Sequence, residues 1–303
     1  MKSEEYLKIT IKASGWSQER LAMELRVTFA TLNSWINGKS SPRAKALKNI
    51  EKLYFDTVGV ESVDIEKLAI AKKQALTFKM SPGELVSNKE LLDKLTLYLT
   101  YHTNTIEGST MTLSDVEDVI FDHKVLSNRT AIEQAEARNH QATLHWLIDL
   151  LNETKNLEVN EELILGIHLR LMNGIITNAG KYRNHSVRIM GSEVTLANYH
   201  KIPELIGQLG SERYLRQDLI SNLARVHAKF EQIHPFSDGN GRAGRLIMLV
   251  QTLANGYVPP VVRKERKYAY YKALELAQTK EIYGPLELFI AESMYFSNEL
   301  LSN

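Results

Sequence analysis

The stretch that decides the fold is His234-Pro-Phe-Ser-Asp-Gly-Asn-Gly-Arg-Ala-Gly-Arg245. Before it, apolar residues recur at steps of three and four, which places them on one face of a helix. Those residues are Leu219, Leu223, Val226, Phe230 and Ile233. Pro235 disfavours helical geometry at the preceding residue, so the helix should end at His234. A second apolar run follows and stops at Asn255-Gly256. The stretch therefore predicts a glycine-rich loop between two helices.

The residue types in this loop suit a nucleotide polyphosphate. Backbone N–H groups around Gly239, Asn240 and Gly241 can cradle phosphate oxygens at the start of the second helix. Arg242 and Arg245 lie three residues apart in the first turn of that helix. Their guanidinium groups can clamp phosphate oxygens through charge-assisted hydrogen bonds. The loop therefore predicts a site for a phosphate chain.

Two further side chains of the loop indicate the chemistry. Asp238 offers the hard oxygen ligand that Mg²⁺ accepts beside phosphates. His234 has an ordinary pKa suited to proton transfer near neutral pH, and the dipole of the preceding helix should favour a proton on its ring. A base, a metal carboxylate and a phosphate cradle together predict attack by a hydroxyl on a phosphorus atom.

The twelve residues match every fixed position of the Fic-family signature H-P-F-x-[D/E]-G-N-G-R-x-x-R. The chain resembles that family over about residues 88–296. The resemblance implies an all-helical domain that moves AMP from ATP to a Ser, Thr or Tyr hydroxyl of a protein, the chain itself included, with Mg²⁺ or Mn²⁺ as cofactor. It also implies a role for each loop residue: general base for His234, buried anchor for Phe236, metal ligand for Asp238, phosphate nest for Gly239, Asn240 and Gly241, and phosphate clamps for Arg242 and Arg245, the last on the γ-phosphate.

A second pattern lies in Tyr101-His-Thr-Asn-Thr-Ile-Glu-Gly108. Thr103 and Glu107 are four apart and share a helix face, and Gly108 should end that helix. The helix dipole opposes the charge of Glu107, which predicts a cationic partner elsewhere. Thr103 to Gly108 resembles the inhibitory pattern [S/T]-x-x-x-E-[G/N] of Fic proteins, here on a helix around residues 95–108. By that resemblance Glu107 pairs with Arg245 in the place of the γ-phosphate.

Residues 187–195 alternate around a Gly-Ser turn, which predicts a short β-hairpin. It resembles the flap with which Fic proteins hold a target segment by strand addition. The alternative is a small hairpin that covers the surface. The flap residues would be Val187, Arg188, Ile189 and Met190. His168, His185 and His200 have no metal-ligand spacing with carboxylates and are interpreted as structural or surface residues, and Tyr271 is placed near the adenine.

The first part of the chain has its own pattern. Residues 1–56 carry ten Lys or Arg and six Asp or Glu, a net charge of +4. Ser17 and Thr28 can cap two short helices, and Gly38 can stop the second. Residues 8–55 resemble phage-repressor-type (Xre-like) helix-turn-helix domains, which insert their second helix into the major groove. That resemblance implies DNA contacts at Gln18, Phe29, Asn33 and Asn37. The alternative is a helical domain for protein contacts or dimerisation.

The composition sets the remaining expectations. The chain has 303 residues, is 44% hydrophobic and 24% charged, and carries a net charge of +1 and no cysteine. No apolar run is long enough to span a bilayer, and the first residues lack the apolar run of a signal peptide. Without cysteine there is neither a disulfide framework nor a thiolate site. We expect a mostly α-helical cytoplasmic protein with a helix-turn-helix bundle at 1–56, a linker region at 57–87 and a catalytic domain at 88–303.

Two functional hypotheses follow. The first is an autoinhibited protein adenylyltransferase with a DNA-binding N-terminal domain. The second is a DNA-binding transcriptional regulator whose other domain senses a nucleotide. A different donor, such as UTP or a phosphorylated metabolite, stays open because a phosphate cradle does not read the base. Removal of AMP with Glu107 placing a water, and a homodimer, also stay open.

Overall fold

The computed structural model describes residues 3–58, 63–154, 157–189, 192, 194–211 and 218–302. In these residues the chain forms fifteen α-helices and two single-turn 3₁₀ helices, with no sheet. The predicted mostly α-helical fold class is confirmed. The helices are α1 Ser3–Ser14, α2 Gln18–Glu24, α3 Phe29–Ile36, α4 Ala44–Val58, α5 Ile65–Ala75, α6 Pro82–Ser87, α7 Lys89–Glu107, α8 Leu113–Ile120, α9 Ala131–Glu153, α10 Glu161–Met172, α11 Ile202–Ser211, α12 Leu219–Ile233, α13 Asn240–Ala254, α14 Lys267–Lys280 and α15 Gly284–Ser302.

Helices α1 to α4 form a small bundle with its own core. Ser17 accepts a hydrogen bond from the backbone N–H of Arg20 at 3.2 Å and caps α2. Thr28 accepts one from Thr31 at 3.2 Å and caps α3, so both predicted caps are present. The side chains that fill this core include Tyr6, Leu7, Leu21, Leu32, Trp35 and Ile50. The bundle therefore presents α2 and α3 as two short helices joined by a tight turn.

The larger part of the chain, from α7 to α15, is built around α13. Eleven of its fifteen residues are buried, so apolar contacts surround it on nearly every side. Helices α7, α9, α10 and α12 all pack against it. A helix held on all sides cannot shift easily, because interiors are close-packed. The loop at its N-terminus is therefore fixed in place by the core.

The predicted linker region packs against this larger part of the chain. Its helix α5 has Asp64 as N-cap, and α6 has Ser81 as N-cap, with a capping box that includes Glu84. Ala75 and Leu85, one from each helix, are fully buried. This stretch is therefore packed structure rather than an extended tether.

The N-terminal bundle packs directly against the larger part of the chain. Arg266 is buried and its guanidinium lies 2.8 Å from Glu292, 3.5 Å from Glu51 and 3.3 Å from the hydroxyl of Tyr6. Next to it, the hydroxyl of Tyr268 donates to Asp56 at 2.5 Å. A cavity of about 180 Å³ lies at this junction. In the ranges described, no helix combines the length and apolar character needed to cross a lipid bilayer.

The predicted β-hairpin is not confirmed. Met190 lies outside the described residues, as do Gly191 and Glu193. The described residues between 187 and 195 form no strand. Within them the backbone N–H of Ser192 donates to the carbonyl of Ile189 at 3.3 Å, a spacing typical of a turn.

Candidate active site

His234 caps the C-terminus of α12 in a left-handed conformation, with φ 49° and ψ 62°. Its backbone N–H still donates to Phe230 at 2.9 Å, so it closes the last turn. The ring nitrogen Nδ1 lies 3.2 Å from the carbonyl oxygen of Glu231 and can only donate to it. This bond places the proton on Nδ1 and leaves the lone pair of Nε2 free to accept one.

The expected effect of the helix dipole on His234 is overridden by burial. Burial lowers the pKa of the imidazole, and the positive charge of Arg183 lowers it further. The bond to the carbonyl of Glu231 and the carboxylates of Glu107 and Asp238 raise it, but the pKa stays below its ordinary value. The preference of the dipole for a proton on the ring is therefore outweighed, and the lowered pKa favours the neutral ring, the form that a general base requires.

The loop after His234 is anchored by Phe236 and His168. Phe236 is fully buried, and the ring of His168 stacks on it at 3.6 Å between centroids. His168 accepts from the backbone N–H of Gly180 at 2.9 Å and donates to the carbonyl of Asp238 at 3.0 Å. Burial lowers the pKa of His168 to about 4, so the ring stays neutral. His168 is thus a structural residue of the loop.

Asn240 closes the loop through its side chain. Its amide accepts from the N–H of Phe236 and donates to the carbonyl of the same residue, both at 2.9 Å. Gly239, the N-cap of α13, has φ 79°, a left-handed conformation that favours glycine. The Asn240 side chain is fully used in shaping the loop, so its contribution to the predicted phosphate nest is limited to its backbone.

Arg245 and Glu107 form an ion pair across the site. Nη2 of Arg245 lies 2.5 Å from Oε1 of Glu107, and Nε donates to the hydroxyl of Thr103 at 2.6 Å. Burial alone would lower the pKa of Arg245, but the Glu107 carboxylate outweighs it and raises that pKa. Conversely, burial opposes ionisation of Glu107, yet Arg245 holds its pKa below the usual value. Gly108 ends α7 directly after Glu107 with φ 118°, as predicted from the sequence.

Arg242 is held by a different helix. Its Nη1 donates to Oε1 of Glu136 on α9 at 2.6 Å, and its Nη2 lies 3.6 Å from Asp238. The two arginines therefore start from one helix turn but are braced separately, Arg242 by α9 and Arg245 by α7. Glu136 could not be predicted from the sequence, because its contact with Arg242 spans 106 residues.

Both guanidinium groups have a buried N–H without a partner in the described residues, Nε of Arg242 and Nη1 of Arg245. A Cβ placed on Gly241 would lie 3.1 Å from Nη1 of Arg245 and would collide with Oε1 of Glu107. The Glu107 carboxylate thus lies against the backbone of the first turn of α13, where helix N–H groups favour an anion. The arrangement is an anion site with a carboxylate of the chain in it.

Asp238 is the exposed member of the loop. Its side chain is 60% exposed, and Oδ1 accepts from the backbone N–H of Gly239 at 2.6 Å. The described residues hold no cluster of three or more His, Asp or Glu that could bind a metal ion by themselves. Any metal ion at Asp238 would therefore need further oxygen ligands from a bound molecule.

A cluster of buried polar side chains next to His234 was not predicted from the sequence. The carboxyl of Glu231 lies 3.8 Å from Nδ1 of His234, and burial raises the pKa of Glu231 to about 8. A Cβ on Gly244 would lie 2.5 Å from Oε1 of Glu231 and 3.1 Å from Nδ1 of His227. His227 in turn lies 2.5 Å from the hydroxyl of Tyr270. Ionisable residues on the buried face of α12, at steps of three and four before His234, were the signal available in the sequence.

Arg183 is the second residue that sequence interpretation missed. It is buried, and its guanidinium donates to the carbonyls of His185, Ala197 and His234 at 2.7, 2.6 and 2.7 Å. A lone arginine after Gly180-Lys-Tyr carries no periodicity, so nothing in the sequence pointed to it.

The remaining predicted residues lie on the surface. Arg188 and Ile189 are exposed, and Val187 is half-buried. On the N-terminal bundle, Phe29 and Asn37 are exposed and Gln18 and Asn33 are half-buried. Asn37 donates to the carbonyl of Asn33 at 2.9 Å and also contacts its side chain. All four are thus at least partly exposed, Gln18 at the start of α2 and the other three on α3 or directly after it.

Comparison with known proteins identifies both parts of the chain. Residues 158–252, which include the loop and both flanking helices, match the Fic/DOC family. Residues 7–55 match the helix-turn-helix family. The chain contains a Fic domain and an N-terminal helix-turn-helix domain.

The curated relatives of the Fic domain are protein adenylyltransferases. Protein adenylyltransferase fic-1 of Caenorhabditis briggsae is 28% identical over 195 residues, which cover 63% of this chain and 38% of the relative. Protein adenylyltransferase Fic of Drosophila erecta is 30% identical over 204 residues, with 63% and 39% covered. The matched region thus spans less than half the length of these relatives.

Solved structures share the fold. A Fic domain containing signaling protein from Bacteroides thetaiotaomicron has a TM-score of 0.63 at 21% identity, with 78% of this chain and 95% of that chain covered. Fic-1 from C. elegans (residues 134–508) has a TM-score of 0.64 at 21% identity, with 94% and 84% covered. These similarities support the helical architecture around the Fic domain.

Proposed function

We propose that the protein is an autoinhibited adenylyltransferase that moves AMP from ATP to a Ser, Thr or Tyr hydroxyl of a protein. The observation that carries this proposal is that one loop joins two features. His234, whose lowered pKa favours the neutral ring, begins the loop, and the N-terminal turn of α13 ends it, where Arg242 and Arg245 each retain an unpaired buried N–H. Unpaired buried donors are costly, so they indicate an acceptor that the site is built to receive. A phosphate chain supplies such acceptors.

The reaction follows from this arrangement. Nε2 of His234 takes the proton of the target hydroxyl, whose oxygen attacks the α-phosphorus of ATP while the bond to the leaving pyrophosphate breaks. Arg242 and Arg245 neutralise the phosphate charge and hold the chain in line with the hydroxyl. Arg188 and Ile189, both exposed in the segment that follows Arg183, are proposed to contact the target segment.

Asp238 would hold the metal ion, with ATP oxygens completing the coordination. Mg²⁺ is commonly bound through one or two carboxylates plus substrate phosphates rather than by a protein cage. A single exposed carboxylate beside the phosphate site fits that pattern. When bound, Mg²⁺ or Mn²⁺ would neutralise charge on the phosphate oxygens.

Glu107 is proposed to be the inhibitor. Its carboxylate uses Nη2 of Arg245 and covers Gly241, so a γ-phosphate cannot use the same guanidinium in the same geometry. Thr103 contributes by fixing Nε of Arg245, and Gly108 by ending α7 so that Glu107 is presented from its last turn. ATP can still bind, but with its phosphate chain displaced.

The donor can be tested directly. Because the phosphate site does not recognise the base, the activated variant Glu107→Gly should be incubated with Mg²⁺ and each of ATP, UTP, GTP and CTP in turn, followed by intact-mass measurement. We expect the gain of AMP from ATP to exceed the others. A larger gain from UTP would replace the proposed donor, and mass gain from none would argue against transfer to the chain itself.

The pH dependence of transfer should report on His234. Only the neutral ring accepts a proton, so activity is present above the pKa of His234 and lost as pH falls through it. Because burial lowers that pKa from its ordinary value of about 6.5, we expect the decline in activity to be centred below that ordinary value. The measurement is the transfer rate of Glu107→Gly at saturating ATP between pH 5 and 9. A decline centred above pH 6.5 would contradict a neutral buried base.

The helix-turn-helix domain is proposed to bind DNA. It carries the excess positive charge of the chain, and α3 presents Phe29, Asn33 and Asn37 to solvent. The alternative function, a DNA-binding regulator whose Fic domain senses nucleotide, rests on the same surface. It differs in needing no base at His234.

We therefore predict binding of the full-length chain to duplex DNA from upstream of its own gene, with affinity that falls steeply as salt rises from 50 to 200 mM. Replacing Asn33 and Asn37 together by alanine should weaken specific binding by about 10-fold or more, since each base contact contributes ~1–3 kcal/mol. Asn298→Ala on α15 is the control. Equal binding by the double variant and the control would favour a role in protein contacts instead.

A further inference from the structure

Arg183 is a buried cation surrounded by backbone carbonyl oxygens. Nε donates to His234 at 2.7 Å, and Nη2 donates to Ile233 at 3.3 Å. The backbone N–H of Arg183 donates to the next carbonyl, that of Pro235, at 2.9 Å. Burial lowers the pKa of Arg183, and no carboxylate in the described residues offsets that effect. Burial of an uncompensated charge costs stability, so the reason for the buried position of Arg183 must lie in the contacts that its guanidinium makes.

The geometry fixes the turn from which His234 projects. The last carbonyls of a helix have no partner within the helix and carry the negative end of its dipole, so a guanidinium there satisfies both needs. His234 also adopts a positive φ of 49°, which is uncommon for a residue with a side chain. Such a conformation persists only where the surroundings determine it. Arg183 supplies that constraint through three consecutive carbonyls, those of residues 233, 234 and 235.

The same guanidinium reaches both ends of the segment between residues 185 and 197. Nη1 donates to His185 at 2.7 Å and Nη2 donates to Ala197 at 2.6 Å. The backbone N–H of Ala197 also donates to Gln232, in the last turn of α12, at 3.1 Å. One side chain therefore joins the two ends of this segment to the backbone of the general base.

We propose that Arg183 is a positioning residue that sets the location of the His234 imidazole and ties it to the segment between residues 185 and 197. This inference rests on the proposed transferase function. Arg183 does not touch the reacting atoms and acts through the backbone of His234. The fork of the guanidinium is essential, because a lysine has one compact ammonium and cannot serve carbonyls that lie in several directions.

The test compares Arg183→Lys and Arg183→Met in the Glu107→Gly background, with Arg170→Met as control. Arg170 lies on α10, where it donates to its own helix and stacks on Trp146. We expect the transfer rate per folded molecule from α-labelled ATP to fall by about 10²-fold in both Arg183 variants, as for a misplacement near 1 Å. ATP affinity should change by less than about threefold, and Arg170→Met should match its parent.

The charge of Arg183 allows an experiment to distinguish a positioning role from general support of the fold. Arg183 lowers the pKa of His234, which also faces Glu231, Glu107 and Asp238. Arg183→Met removes that charge, so the acid limb of the rate profile and the NMR titration of the His234 ring should move to higher pH. Arg183→Lys retains the charge, and its titration should stay with the parent although its rate is low. The His234 signal is assigned by its loss in His234→Ala.

Two results would overturn the inference. One is a rate per folded molecule in Arg183→Lys that equals the control. The other is a His234 titration that is the same in Arg183→Met as in the parent, which would mean that Arg183 only supports the fold. The NMR titration needs no activity, so it decides the role of Arg183 even if the Glu107→Gly parent fails to transfer AMP. That failure would count against the proposed function alone.

Discussion

Glu107→Gly is expected to raise AMP transfer by about 10²-fold over the unchanged chain, labelling of the chain itself included, while ATP affinity changes much less. In the structure the Glu107 carboxylate holds Nη2 of Arg245 and lies over Gly241. Removing it frees the guanidinium for a γ-phosphate and lets the α-phosphorus align with the hydroxyl. A misplacement near 1 Å can cost ~10²-fold in rate, which sets the size of the gain. Protein-bound label from α-labelled ATP measures it.

The controls distinguish the release of Arg245 from a general effect of placing glycine at a helix end. Glu153→Gly changes the last residue of α9, an exposed glutamate, and should leave transfer at the level of the unchanged chain. Arg245→Ala should abolish the gain when combined with Glu107→Gly, because the released guanidinium is then absent. Equal labelling by the unchanged chain and by Glu107→Gly would mean that the Glu107–Arg245 pair is only a structural ion pair.

His234→Ala in the Glu107→Gly background should lower transfer by ~10²–10⁴-fold, the usual contribution of general-base catalysis. ATP affinity should be nearly unchanged, since the imidazole acts mainly in the transition state. The rate of transfer and the affinity for ATP should be measured on the same preparations. His200→Ala, an exposed histidine near α11, is the matched control. Retention of the parent rate by His234→Ala would remove the proposed base.

Local rules predicted much of the site from the sequence. Pro235 ends α12 because proline restricts the backbone conformation of the residue before it. Gly108 ends α7 because glycine readily adopts the left-handed conformation. The unfavourable position of Glu107 at a helix end predicted a cationic partner, and Arg245 is that partner in the structure. Each of these inferences uses residues only a few positions apart, or a motif that fixes the spacing.

The features that the sequence did not predict depend on distant packing. Glu136 and Arg183 contact the loop across 106 and 51 residues, and neither interrupts a periodic pattern. The lowered pKa of His234 was not predicted, because the helix dipole can be inferred from the sequence, whereas burial of the ring depends on the assembled core. Desolvation is the larger effect in this position. The tight packing of residues 64–87 has the same cause.

The most direct test of the central proposal compares the fates of the α- and γ-phosphorus atoms of ATP. Glu107→Gly is incubated with Mg²⁺, with or without added extract proteins, and with ATP labelled either at the α- or at the γ-phosphorus. We expect protein-bound label from the α-position, on the chain or on an added protein, none from the γ-position, and no label when His234 is alanine. Absence of protein-bound label from the α-position, or label arriving from the γ-position, would contradict AMP transfer by this site.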